Sequence, residues 1–313
     1  MVWANAKIIA MIFSRVPYVF TIQRYWLLLI LLPGLLACED LRWNSPYSSG
    51  DAEQAIFYSS FSERPKHLDP ARSYSANEWA FISQIYEPLL QYHFLQRPYQ
   101  LEPLTTTGMP EVRYLDAQGK PLPPDTAREQ IAFSEYHIQI SPGIRYQPHP
   151  AFARNADGGY TYWPLQEKEL AARFILADFA LSDTRELVAD DYIYQIKRLA
   201  FTPNHSPVAG LMAEHIVGFQ DFTQQAEAQY KKNKAAGKLW TDLRPLPLQG
   251  VQRVDAYTLR IRIHKTYPQF MYWLAMNFFA PMPWEAERFY AQQGMAEKNL
   301  TLHWYPVGTG PFM

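Results

Sequence analysis

Cysteine is nearly absent: Cys38 is the only one in 313 residues. A single thiol excludes an internal disulfide framework and a cysteine-clustered zinc site. It leaves the compartment open, since a cysteine-free body suits an oxidising space and a reducing one alike. Acidic residues are missing from the first 38 positions, whose only charged side chains are Lys7, Arg15 and Arg24. That leaves 26 basic and 30 acidic groups in residues 39–313, a net charge of −4. No basic stripe remains to neutralise phosphates, so nucleic acid is not an expected partner. The motifs of common catalytic sites are also missing, with no GxSxG elbow, P-loop lysine or HExxH pair. The eight histidines are scattered, none paired at i,i+4 around a carboxylate, so neither a metal nor a cofactor is expected. There is no internal repeat or low-complexity tract.

The N-terminus has an arrangement of its own. Residues 26–37, WLLLILLPGLLA, form an apolar run of twelve that includes Pro33 and Gly34, short of the roughly 20 residues a membrane-spanning helix needs. Basic residues precede the run and a small residue ends it, which is the secretory signal pattern. Leu35-Leu36-Ala37-Cys38 resembles the lipobox of bacterial lipoproteins, in which the cysteine is diacylated and becomes the mature N-terminus. Residues 1–38 are therefore expected to be a signal peptide ending at Cys38, and the polar stretch 39–50 a tether. A noncleaved anchor and an ordinary core cysteine are the alternatives.

The body reads as a mixture of strands and helices. A short strand is expected at 55–61 and a helix from Asn77, its N-cap, with Ile82, Ile85, Tyr86 and Leu89 at helical spacing. Residues 104–130, rich in Pro and Gly, are expected to connect strands. Alternation in SEYHIQI and YTLRIRI marks two half-buried strands. Asp190 and Asp191 read as the acidic start of a helix rather than a paired-carboxylate site. Residues 220–238 read as an exposed helix, and QFMYWLAMNFF after Pro268 as a buried one. Glu285 and Glu287 fall on a short helix stopped by Gly294 and are expected at the surface. Strands that return after long excursions indicate an α/β or mixed α+β fold with interleaved domains.

Several stretches, in order, resemble the family 5 extracellular solute-binding proteins of peptide and nickel ABC importers. They are LDPARSYSANEWAFISQIYEPLL, YHIQISPGIRYQ, RELVADDYIYQIKRLA, the segment from Val254 to Ala286, and YPVGTGPF. The resemblance implies a periplasmic binding protein-like, two-lobed fold with an inserted accessory lobe. Residues 51–86 and 284–313 would form part of lobe I, and 87–283 the accessory lobe. The family's ligand-facing C-terminal lobe normally follows the Gly-Thr-Gly-Pro motif and is expected to be missing here. Segments at about 104–130, 147–181 and 222–248 make the accessory lobe longer than the family pattern.

The function implied is capture of a solute, an oligopeptide above all, in an interlobe cleft and its delivery to the permease subunits of an ABC importer. The protein would be lipid-anchored in the periplasmic space or on the cell surface and would not be an enzyme. The resemblance places Tyr74 and Ala76 in the cleft, with Ser75 and Asn77 beside them. Peptide-binding relatives often carry an aromatic after a Ser-Pro in the accessory lobe, where this chain has Val208. An exported lipoprotein hydrolase and an orphan binding protein with a chaperone or signalling role are the other readings.

Overall fold

The computed structural model describes residues 60–312. Cys38 and most of the expected strand at 55–61 lie outside the described residues; Ser60 and Phe61 are not in a strand. In chain order the elements are α1 (Ala76–Ile85), β1 (Leu90–Tyr92), β2 (Leu101–Pro103), β3 (Glu111–Leu115), β4 (Pro121–Leu122) and β5 (Phe133–Gln139). There follow α2 (Glu167–Ala171), α3 (Ala189–Ala200), α4 (Ala209–His215) and α5 (Phe219–Ala235). The last are β6 (Val251–Arg253), β7 (Thr258–His264), α6 (Phe270–Trp273) and α7 (Trp284–Tyr290). The fold is mixed α and β.

The main sheet is antiparallel, in the order β4-β3-β5-β7-β6. Its two long strands are those that alternate in the sequence. Leu259, Ile261 and Ile263 are fully buried on one face of β7, with Tyr136 and Ile138 beside them on β5. The other face places Glu135 opposite Arg262, 2.7 Å apart, with Arg260 and His137 also on that carboxylate. Such cross-strand pairs fix register, because a one-residue slip would turn the apolar set outward. The Pro/Gly-rich stretch 104–130 is more than a connector, since it contains β3 and β4 and extends the sheet by two strands. Its alternation is hidden because β3 is exposed over most of its length.

Helix α3 packs on β6, β7, α4 and α5, and nearly all of its residues are buried. Asp191 accepts the Val188 N–H at the helix start (3.1 Å), as the acidic start predicts, while exposed Asp190 pairs with Arg253. Helix α5 is largely exposed, inserting Phe222 and Ala226 into the core. The run 269–279 is mostly buried, Gln269 and Tyr272 excepted, but it is not one helix. It forms the single turn α6 and then a 3₁₀ turn at Asn277–Phe279, so apolar character fixes burial without fixing helix length. Glu285 and Glu287 also depart from expectation: Glu285 is 3% exposed, and both carboxylates point into the molecule towards arginines of the α3 region. The apolar spacing of α7 marks its inner face correctly, but buried arginines draw these two acids there as well.

The glycines of YPVGTGPF serve close packing. The Gly310 N–H donates to the Ile85 carbonyl at the end of α1 (2.9 Å), and the Gln147 N–H to the Gly308 carbonyl (3.0 Å). A Cβ on Gly308 would sit 1.9 Å from the Ile85 carbonyl oxygen. Gly308→Ala is therefore expected to cost about 2–3 kcal/mol through backbone displacement. Gly210→Ala, on a helix with open space around it, should be neutral or raise stability by up to about 1 kcal/mol. Urea unfolding of the two variants checks the contrast.

Candidate ligand-binding site

The stretch after Leu68 is folded by two carboxylates. Asp69 is buried; its carbonyl accepts the N–H groups of Arg72 and Ser73 (both 3.0 Å) and its carboxylate accepts that of Ala71 (3.0 Å). Arg198 of α3 grips both carboxylate oxygens, at 2.9 and 2.7 Å. Glu78, in the first turn of α1, accepts the N–H groups of Lys66 (3.1 Å), His67 (2.9 Å), Tyr74 (3.1 Å) and Ser75 (3.2 Å), and the Ser73 hydroxyl (3.0 Å). The helix therefore starts two residues earlier than expected, its N-cap being Ser75 rather than Asn77, and the Ser75 N–H pairs with the acid three positions on.

Burial alone would raise both carboxyls. For Asp69 the charge and hydrogen bonds of Arg198 outweigh it and hold the group at about 2. For Glu78 the hydrogen bonds from Ser75, His67 and Ser73 do the same, again to about 2.

This loop forms one wall of a cavity of about 290 Å³. Pro70, Ser73, Tyr74 and Trp79 line that side; Val208, Leu211 and Met212 line a second; Trp273, Met276, Asn277, Phe278 and Phe279 line the third. Tyr74 is 75% exposed at the rim, its ring centroid 6.3 Å from that of Phe278. Trp79 and Leu211 are also exposed there. Asn277 is 5% exposed, and its side-chain Nδ2 has no hydrogen-bond partner.

Of the residues picked out in the sequence, Tyr74 lines this cavity and Ser75, Ala76 and Asn77 do not. Ser75 and Ala76 are exposed at the helix start, and the Asn77 amide reaches the Glu63 carbonyl at 3.4 Å. Val208, noted for replacing an aromatic, shares the cavity with Tyr74. The sequence reading missed the whole third wall. Its one available signal was Asn277, an amide within an otherwise apolar run.

Among the described residues, larger cavities lie elsewhere. The largest, about 700 Å³, is bordered by Trp163, Trp240 and Leu246. Its buried amides are bonded within the protein, Gln292 to Tyr162, Leu165 and Phe289, and Asn233 to Gln229 and Thr241. Only the Trp240 indole nitrogen lacks a partner there. Each of the two cavities thus holds one unpaired buried donor that leaves a bond for a ligand, and the smaller is distinguished by its wall from the Asp69 loop, which carries Tyr74, a residue picked out in the sequence. Among the described residues no group of three His, Cys, Asp or Glu is placed to hold a metal, and no helix is long and apolar enough to cross a membrane.

Both loop carboxyls lie below their ordinary values of 3.8 and 4.5, so the folded state binds fewer protons than the unfolded one in acid. Their stabilisation is complete above about pH 4.5 and lost as pH falls towards 2, on the order of 2–3 kcal/mol for each group. Glu78→Gln should lower stability at pH 7 by a similar amount and flatten the decline between pH 4.5 and 2. Urea midpoints across that range check it.

Residues 177–313 match the family model described as bacterial extracellular solute-binding proteins, family 5 Middle. A comparison with curated proteins finds no match. Similar solved structures include a peptide-bound OppA of Listeria monocytogenes, 13% identical, covering 80% of this chain and 34% of that one, with a TM-score of 0.45. DppA from Helicobacter pylori, in complex with the peptide STSA, is 15% identical over 79% of this chain and 34% of its own, with a TM-score of 0.44. The murein tripeptide binding protein MppA of Escherichia coli is 17% identical over 80% and 33%, with a TM-score of 0.44. The chain thus spans about a third of the length of these structures. Over residues 177–313, somewhat under half of its length, the chain is similar to the bacterial extracellular solute-binding proteins of family 5.

Proposed function

We propose that this chain contributes to solute capture for an ABC importer, binding a peptide-like ligand at the Tyr74 cavity and presenting it to the permease subunits. The observation that carries the reading is the cavity itself, walled by the Asp69 loop and left with an unpaired buried amide at Asn277. Peptides supply what such a site lacks, a carbonyl for the amide and side chains for the aromatic walls. The function is binding and release rather than turnover. The relatives are described as extracellular solute-binding proteins, which supports action outside the cytoplasmic membrane, in the periplasmic space or at the cell surface.

In this reading residues 51–86 and 284–313 contribute to lobe I and 87–283 form the accessory lobe. The bonding of Gly310 to Ile85 supports grouping the first two segments. Cys38 is the attachment point, diacylated on its thiol and left as the mature N-terminus once residues 1–37 are removed. The diacylglycerol would provide two chains, where one gives only marginal membrane binding.

Denaturing extraction of the purified full chain followed by mass spectrometry should release peptides, and recovery of only a metal chelate or a sugar would contradict the reading. Tyr74→Ala should weaken peptide binding about 3- to 10-fold in calorimetric titration, since a rim aromatic contributes roughly 1 kcal/mol; unchanged affinity would remove Tyr74 from the site. In cells, labelled fatty acid should be incorporated by the wild-type protein and not by Cys38→Ser, and label retained on the variant would overturn the anchor.

A further inference from the structure

We infer that the Tyr74 cavity is a selective pocket for one bulky, uncharged side chain of the ligand, with the Asn277 carboxamide bonding the adjoining peptide group. This rests on the solute-binding reading above and adds what the site selects.

None of the cavity's lining residues is charged. The Ser73 hydroxyl is already donated to Glu78 at 3.0 Å. Among the lining residues, Asn277 Nδ2 is the one buried side-chain polar atom without a partner. A lysine or glutamate side chain would lose its hydration there and meet no opposite charge, a strongly unfavourable transfer. An aromatic or long aliphatic side chain would instead cover Val208, Met212 and Phe278 and remove apolar surface from water. The volume of about 290 Å³ is about twice that of the ~150 Å³ apolar cavity known to hold benzene. It accommodates one large side chain and an adjoining peptide group, not two large residues.

The amide has no structural task that would explain its burial. The 3₁₀ turn at Asn277–Phe279 is fixed by backbone bonds, Ala280 N–H to the Asn277 carbonyl at 2.9 Å and the Gln195 amide to the Phe278 carbonyl at 3.0 Å. A buried donor left unpaired is costly. A ligand carbonyl that supplies the missing bond therefore gains affinity, while the free protein gains stability from losing the amide.

The test uses the full chain and a series of Ala-X-Ala tripeptides with X as Phe, Leu, Ala, Lys or Glu, titrated by calorimetry. The Phe and Leu peptides should bind at least about 10-fold tighter than the Lys and Glu peptides. Asn277→Leu should bind the Phe peptide about 10-fold more weakly while its Tm stays equal or rises, whereas a structural asparagine would show a lowered Tm. The wild-type series stands without the variant. Equal affinity for all binding peptides, or an Asn277→Leu variant that binds Phe like the wild type, overturns the inference alone. Failure of every peptide to bind overturns the solute reading and the inference with it.

Discussion

The arginine at position 198 is 1% exposed, and the arrangement around it depends on neutralising that charge. Burying a guanidinium is costly unless carboxylates and hydrogen bonds replace its water. Asp69 supplies one carboxylate from the loop before α1, and Glu287 another from α7 at 2.8 Å. Removing one partner of such a group leaves uncompensated charge in the core, a loss of about 3–5 kcal/mol. Two segments distant in sequence are thereby held to one position on α3. Arg185, just before α3, repeats the pattern with Asp191 at 2.6 Å and Glu285 at 2.7 Å.

The same network positions two walls of the cavity and the chain that leads into the other. Arg198 holds Asp69, and with it the turn that presents Tyr74. Arg198 also donates to the Gln195 side-chain oxygen at 3.0 Å, and the Gln195 amide holds the Phe278 carbonyl beside Asn277. The second wall is joined through Arg72, which donates to the carbonyls of Pro203 and Asn204 (both 2.9 Å), and through the Asn204 amide on the Arg198 carbonyl (3.0 Å). A site built in this way is preorganised: its walls are fixed before a ligand arrives, so less ordering is needed on binding. Asn277 is the exception, a polar group that the network reaches past and leaves unpaired.

What the sequence made legible follows from periodicity. The strands at 133–139 and 258–264 and the helix at 189–200 each carry a regular apolar pattern and pack accordingly. Where burial is nearly absent, as along β3, no alternation is imposed and the strand goes unread. The run from Gln269 to Phe279 is apolar on all sides, so its burial was readable but its break after Trp273 was not. Glu285 and Glu287 were misplaced because composition assigns a lone acid to the surface, and only tertiary structure shows an arginine waiting inside. Tyr74 could be named from the motif that precedes it. Asn277 stands out as an amide in an apolar run, but its unpaired state is defined by partners absent in space, which spacing along the chain does not record.

A crystal structure of the full chain with a bound Ala-Phe-Ala peptide addresses the central claim most directly. The account predicts ligand density between Tyr74, Val208 and Asn277, with a ligand carbonyl within hydrogen-bond distance of the Asn277 amide. Density confined to another cavity, such as the groove at Trp163 and Trp240, with the Tyr74 cavity filled only by solvent, would contradict it.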